Sequence, residues 1–448
     1  MTLPRPLANP AVRSRLVVFA CLVVLQLPLV CNPGYFSHDE LEWWARASVA
    51  GWAQLPWVSW TAVADFQYRP LTFNLWLLLA HGFAAKPYLM HLIVVSLGCV
   101  NALLLGACIE AAGAPRRVAS VAAVVFVMTP YAAYTHGWVG TLADVLTLMA
   151  ALLSLRQLQL MTAQHDFFVL RTAAVVFLTG AALLCKEAAV VLPLVFVAAL
   201  YRQPLRKRLL AVIVLSALLV VVYLALRLRV ILETPRDASA YAWAAGNIPH
   251  RLLEYALYPF LPPLLEVGTT LAKSLPRLLA AGACLVALLT ALGTVGWRWA
   301  LAWVALVSGL LAPVLILGVS YDHYAYLANA AAVGVVALAW PKMRTISRGA
   351  VVVVAAVAAV HAGAIMFRMH DVGVIQRNFY ADLVERLAET AAPIDLSVIN
   401  ESDRWMAQRF LSGVAVYQGV TIEGRVALVV GTAPLLMRRD GHLVTAGE

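Results

Sequence analysis

The acids, histidines and several cations of this otherwise apolar chain fall in a few short clusters. These are His38-Asp39-Glu40, then Asp65 with Gln67-Tyr68-Arg69-Pro70, His136 and Asp144, Lys186-Glu187, Arg227 and Arg229, and the run Tyr321-Asp322-His323-Tyr324-Ala325-Tyr326. A carboxylate held within hydrogen-bond reach of a hydroxyl can take its proton. Guanidinium and ammonium groups stabilise negative charge growing on an anion, Arg through a planar fork and Lys as a compact point charge. Together these residue types could support acid–base chemistry or ligand binding. No cluster has the spacing of a closed metal site, and the residues leave divalent-metal dependence open.

The rest of the chain says where such a site would stand. Of 448 residues, 62% are hydrophobic and 12% charged, with a mean hydropathy of +0.83. Soluble domains are about 45–50% apolar and about 25% charged, so a soluble enzyme and a disordered chain are both excluded. Apolar runs continue almost to residue 366, which also excludes a single anchor. The net charge is +10. The cations sit mostly in short loops, as the positive-inside rule describes, and no basic face with interleaved aromatics points to nucleic acid. The six cysteines are scattered through apolar stretches without a CxxC pair, which reads as packing rather than a disulfide framework or zinc site.

The elements that must position the clusters follow from the apolar runs. A basic N-terminus precedes a first span at Leu16–Cys31. Residues 32–87 hold six tryptophans and read as a long external loop with helices lying on the membrane surface, Thr72–Phe83 among them. Further spans are expected at 88–111, 118–134, 139–157, 171–185, 188–201, 208–226, 277–296, 299–319, 324–340 and 349–366, about 11 in all. The pair Lys186-Glu187 splits a stretch too long for one span. Each charge at a bilayer centre would cost about 2.5–3.5 kcal/mol, so two short segments with the pair at the outer surface are preferred. That choice places the basic cluster Arg202–Arg208 inside and the chemical clusters all outside. A transporter would hold ionisable groups near the midplane; here they collect at one face. Beyond residue 366, Ile375, Phe379, Leu383 and Leu387 recur every four residues and predict an amphipathic helix over Gln376–Thr390, while 394–400 and 425–430 read as strands. The fold class expected is thus an all-α polytopic bundle over 1–366 with a small external α/β tail over 367–448.

The order of these features resembles the GT-C glycosyltransferases, which use polyprenyl-phosphate-linked sugars. An acidic pair, Asp39-Glu40, follows the first span. Tyr68-Arg69-Pro70-Leu71 opens a surface helix, and PYLMHLIV (87–94) resembles the entry to the next span. WVGTLADVL (138–146), CKEAAVVLP (185–193) and YDHYAYLANA (321–330) complete the series. Protein O-mannosyltransferase-like enzymes are the nearest in pattern, and the aminoarabinose transferase acting on lipid A is more distant. The chain departs from the pattern at Asp322 and His323, where the family has Glu and Arg, and at Val94, where it has Asn.

The resemblance implies an integral membrane glycosyltransferase, inverting at the anomeric carbon, with a polyprenyl-phosphate-sugar donor and a protein, lipid or glycan acceptor. It implies Asp39 as the base, with Glu40 beside it and Asp144 orienting acceptor or metal. Arg69, Lys186, Arg227 and His323 are the candidates to hold the donor phosphate. His38, Tyr68, Glu187, Asp322, Tyr324 and Tyr326 are further pocket candidates, with Glu187 a partner for Lys186. In a bacterium the site would face the periplasm from the inner membrane. A flippase of a lipid-linked substrate and a polysaccharide ligase or polymerase are the competing readings.

Overall fold

The computed structural model describes residues 10–63, 65–163, 167–200, 207–233, 242–398, 401–429 and 433–445. Its body is helical throughout. Helices α1 (Pro10–Leu25) and α2 (Leu27–Val30) lead into the first long loop, which carries α3 (His38–Val49) and α4 (Pro70–Phe83). There follow α5 (Pro87–Ala111), α6 (Arg116–Val127), α7 (Pro130–Gly137), α8 (Leu142–Ala163), α9 (Phe168–Cys185), α10 (Leu192–Leu200) and α11 (Lys207–Glu233). A second loop carries α12 (Asn247–Leu257) before α13 (Leu275–Val295), α14 (Trp297–Leu315), α15 (Tyr326–Ala339) and α16 (Thr345–Glu389).

Among the described residues, eight helical stretches are long and apolar enough to cross a membrane, and a ninth arises if α6 and α7 are taken as one span bent by 60°. The chain is therefore a multi-pass membrane protein. Each of the 11 expected stretches carries helix, but three fall short of a straight span. Helix α1 has 16 residues before the break at Gln26. The third span bends where Pro130 opens a new helix behind the cap of Thr129. The sixth, Glu187–Leu200, is a short apolar piece. Residues 202–206 of the expected basic cluster lie outside the described residues.

Lys186 does split α9 from the next helical piece, in an extended conformation (φ −159°, ψ 137°). Its side chain is turned into the protein. Only 3% of it is exposed, and an acidic partner on α8 offsets the cost of burying its charge.

The loop before α5 is a packed unit. Pro70 supplies a preset φ at the first turn of α4. Trp43 of α3 stacks on Trp76 of α4 at 4.9 Å and meets Phe73 at 4.7 Å. Trp76 is buried, so it is core rather than a membrane anchor, whereas Trp52 and Trp57 are exposed.

The boundary expected at residue 366 falls inside one unbroken helix. At about 1.5 Å per residue, the 45 residues of α16 run about twice the roughly 30 Å hydrocarbon thickness. Its far end buries Ile375, Phe379, Leu383 and Leu387, the predicted stripe, against the tail. The tail holds β1 (Ile394–Val398), α17 (Glu401–Leu411), β2 (Val416–Tyr417), β3 (Val420–Thr421), β4 (Val426–Leu428), β5 (Leu435–Met437) and β6 (Leu443–Thr445). Strand β1 lies between β4 and β5, parallel to both, and β6 closes an antiparallel edge on β5. Strands β2 and β3 form a separate hairpin. Tyr417 at its base meets Tyr380 of α16 at 4.2 Å and Trp44 of α3 at 5.3 Å. The tail is thereby fixed against the first loop.

Candidate active site

The site is built at the end of the bundle where α3, the start of α8, the break after α9 and the turn before α15 meet. Helix α3 begins at Ser37, whose extended backbone makes it the cap. Glu40 Oε2 accepts from Ser37 N at 3.2 Å, closing a capping box. Glu40 is thereby buried and committed to the helix terminus. Burial, then the neighbouring Asp39 charge, pushes its pKa up to about 8. Asp39 faces the other way, with about a third of its side chain exposed and His38 Nε2 at 3.2 Å from Oδ1. Desolvation raises its pKa, while His38 and Arg409 pull it back.

The cationic half lies deeper. Lys186 Nζ meets Asp144 Oδ1 at 2.5 Å, and Lys186 sits 4.7 Å from the centroid of the Tyr324 ring. Asp144 is in the first turn of α8, where a carboxylate complements the helix dipole. Arg69 clamps Glu187 with Nε at 2.9 Å and Nη2 at 2.8 Å from Oε2. The expected pairing of Glu187 with Lys186 is thus corrected. Successive residues point apart at the extended break, and each finds a partner on a different element. Arg227 donates to the carbonyls of Val63, Asp65 and Phe66 and lies 5.3 Å from the Tyr68 ring. Tyr68 in turn donates to the carbonyl of Trp60 at 3.3 Å. Three cations therefore stand against two carboxylates in this half.

Aromatic side chains join the two halves. Phe36, next to the cap of α3, lies 5.9 Å from Trp138, which meets His323 edge-on at 5.2 Å. His323 lies 4.5 Å from Tyr324, which faces Lys186. His323 is thus part of an aromatic wall. Asp322 turns into the protein and accepts from Val267 N at 3.3 Å.

Two expected members lie elsewhere. His136 and Tyr326 are fully buried. His136 Nε2 is 2.8 Å from Tyr326 Oη, and its Nδ1 is 2.6 Å from Gln26 Oε1. Asn101 Nδ2 donates to the same Tyr326 oxygen at 3.4 Å. This polar chain ties the break after α1 to α5, α7 and α15. The bend before α7 turns His136 inward, which helical periodicity alone did not indicate.

Sequence reasoning missed Arg409 and Trp138. Arg409, on α17 of the tail, donates from Nε to the Phe36 carbonyl at 3.0 Å, with its guanidinium carbon 4.1 Å from the Phe36 centroid. Nothing in the spacing of residues 401–411 marks it as a site residue. Trp138 stood within a quoted motif without a role of its own. Among the described residues, no group of three or more His, Cys, Asp or Glu is placed to hold a metal ion.

No family model matches the chain, and neither does any curated protein. Among solved structures, the chain is similar to the crystal structure of ArnT from Cupriavidus metallidurans bound to undecaprenyl phosphate. The TM-score is 0.45 and the identity 16%, over 88% of this chain and 84% of that one.

Proposed function

We propose that the protein is a membrane glycosyltransferase of the GT-C type, moving a sugar from a polyprenyl-phosphate carrier to a hydroxyl of a protein, lipid or glycan. The observation that carries this reading is the pairing of two unlike halves at one end of a multi-span bundle. Asp39 is a carboxylate partly open to solvent. Across the wall of Phe36, Trp138, His323 and Tyr324 lies a cation-rich cluster held beside apolar helices.

The chemistry assigns a task to each half. Asp39 takes the proton of the acceptor hydroxyl as its oxygen bonds to the anomeric carbon. The bond from that carbon to the phosphate oxygen breaks, and polyprenyl phosphate leaves with the electron pair. Lys186, Arg69 and Arg227 stabilise the charge that grows on the departing phosphate. Their carboxylate and carbonyl partners hold them in place beforehand, so little reorganisation is needed as the charge develops. Glu40 keeps the α3 terminus in place, and Asp144 keeps Lys186 in place.

The test is to incubate membranes bearing the protein with defined polyprenyl-phosphate sugars. Release of polyprenyl phosphate with transfer of the sugar supports the reading. Movement of intact lipid-linked sugar across the membrane, without cleavage, would replace it with a flippase.

A further inference from the structure

Arg409 is far from the first loop in sequence, yet its side chain is seated against that loop. Besides the bond to the Phe36 carbonyl, its guanidinium lies 5.7 Å from the Trp138 ring and 5.0 Å from Trp405. Its Nη1 is 3.9 Å from Glu266 Oε1. Phe36 directly precedes the cap residue of α3, and Asp39 is three residues on. The turn after α17 approaches from the same side, since a side chain added at Gly413 would touch Glu42 and His38. The tail therefore packs against the start of α3 and brings a positive charge to it.

We propose that Arg409 is a positioning residue of the site, by which the C-terminal segment fixes the start of α3 and keeps Asp39 ionised. This deepens the reading of Asp39 as the base and rests on it. The charged groups around Asp39 are His38, Glu40 and Glu42 on its own helix, Arg46 paired to Glu42, Arg409 from the tail, and Glu266 bound to Arg409. Burial opposes the charge on Asp39. His38 favours that charge only while protonated, and Glu42 opposes it. Arg409 is the member that stays cationic at every working pH. A nearby guanidinium favours the charged form of a carboxylate, and Arg409 acts on Asp39 in that direction.

The experiment uses the full chain in detergent and follows carbodiimide labelling of Asp39 by mass spectrometry across pH. The protonated carboxyl gives its proton to a carbodiimide nitrogen as its oxygen adds to the central carbon, so the midpoint reports Asp39 whether or not sugar transfer is ever found. Arg409→Gln should raise the midpoint, the direction expected when a cation beside a carboxylate is removed. Arg409→Lys, which restores the charge, should leave it near the wild-type value. If transfer is found, the acid limb of its rate profile should move with the midpoint. An unchanged midpoint in Arg409→Gln overturns the proposal. So does an equal shift in Arg409→Lys, which would mean that only the packing of the tail had been disturbed.

Discussion

Lys186 and Asp144 meet at 2.5 Å with both side chains at least nine-tenths buried. They come from the break after α9 and from the first turn of α8, helices that pack along one another. Removing one member of a buried pair leaves a charge without compensation, which costs about 3–5 kcal/mol. Lys186→Met and Asp144→Leu should each lower the unfolding midpoint in detergent substantially. The double variant should recover much of that loss while transferring no sugar. A double variant as unstable as either single one would show that the two side chains are not a coupled pair.

Glu40 gives the fold a pH dependence of a defined sign. Its pKa is about 8 in the folded chain against an ordinary 4.5. Between those values the folded state binds more protons than the unfolded state, so its contribution to stability falls as pH rises. The contribution is present in full below about 4.5 and is gone above about 8. Glu40→Gln should therefore flatten the decline in thermal stability from pH 5 to 8. A steeper decline in the variant would contradict the assignment.

The start of the first loop crosses α16 at two glycines. A side chain on Gly34 would strike the carbonyl of Gly373, and one on Gly373 would strike the Asn32 carboxamide. The crossing is held by Asn32 Nδ2 to the Met369 carbonyl at 3.1 Å and by Tyr35 N to Gln376 Oε1 at 3.2 Å. Alanine in a helix is ordinarily better than glycine by about 1 kcal/mol. Here overpacking at about 1–3 kcal/mol wins, so Gly373→Ala should lower the melting temperature. Gly363→Ala, on the same helix with open space around it, should not. Equal effects at the two positions would remove the packing argument.

Much of the architecture was legible because apolar runs and breaks are local properties. Pro70 after Tyr68-Arg69 announced α4, Lys186 announced the split after α9, and the four-residue stripe from Ile375 to Leu387 announced the outer end of α16. Pairings were not legible, because they depend on which helix ends come together. Glu187 was expected beside Lys186 and instead clamps Arg69 from the loop. His136, expected among the outer clusters, is buried against Tyr326 on a helix bent by 60° from the one before it. Arg409 could not be seen at all. Its place against Phe36 depends on α17 folding back on a loop more than 370 residues earlier.

Sugar transfer by Asp39→Asn tests the central claim most directly. The variant keeps the shape of the side chain and removes its basicity. With a polyprenyl-phosphate sugar that wild-type protein consumes, the account predicts a loss of about 10²–10⁴-fold in transfer rate, with donor binding and thermal stability close to wild type. Transfer at the wild-type rate would contradict it, and the base would have to be sought elsewhere in the chain.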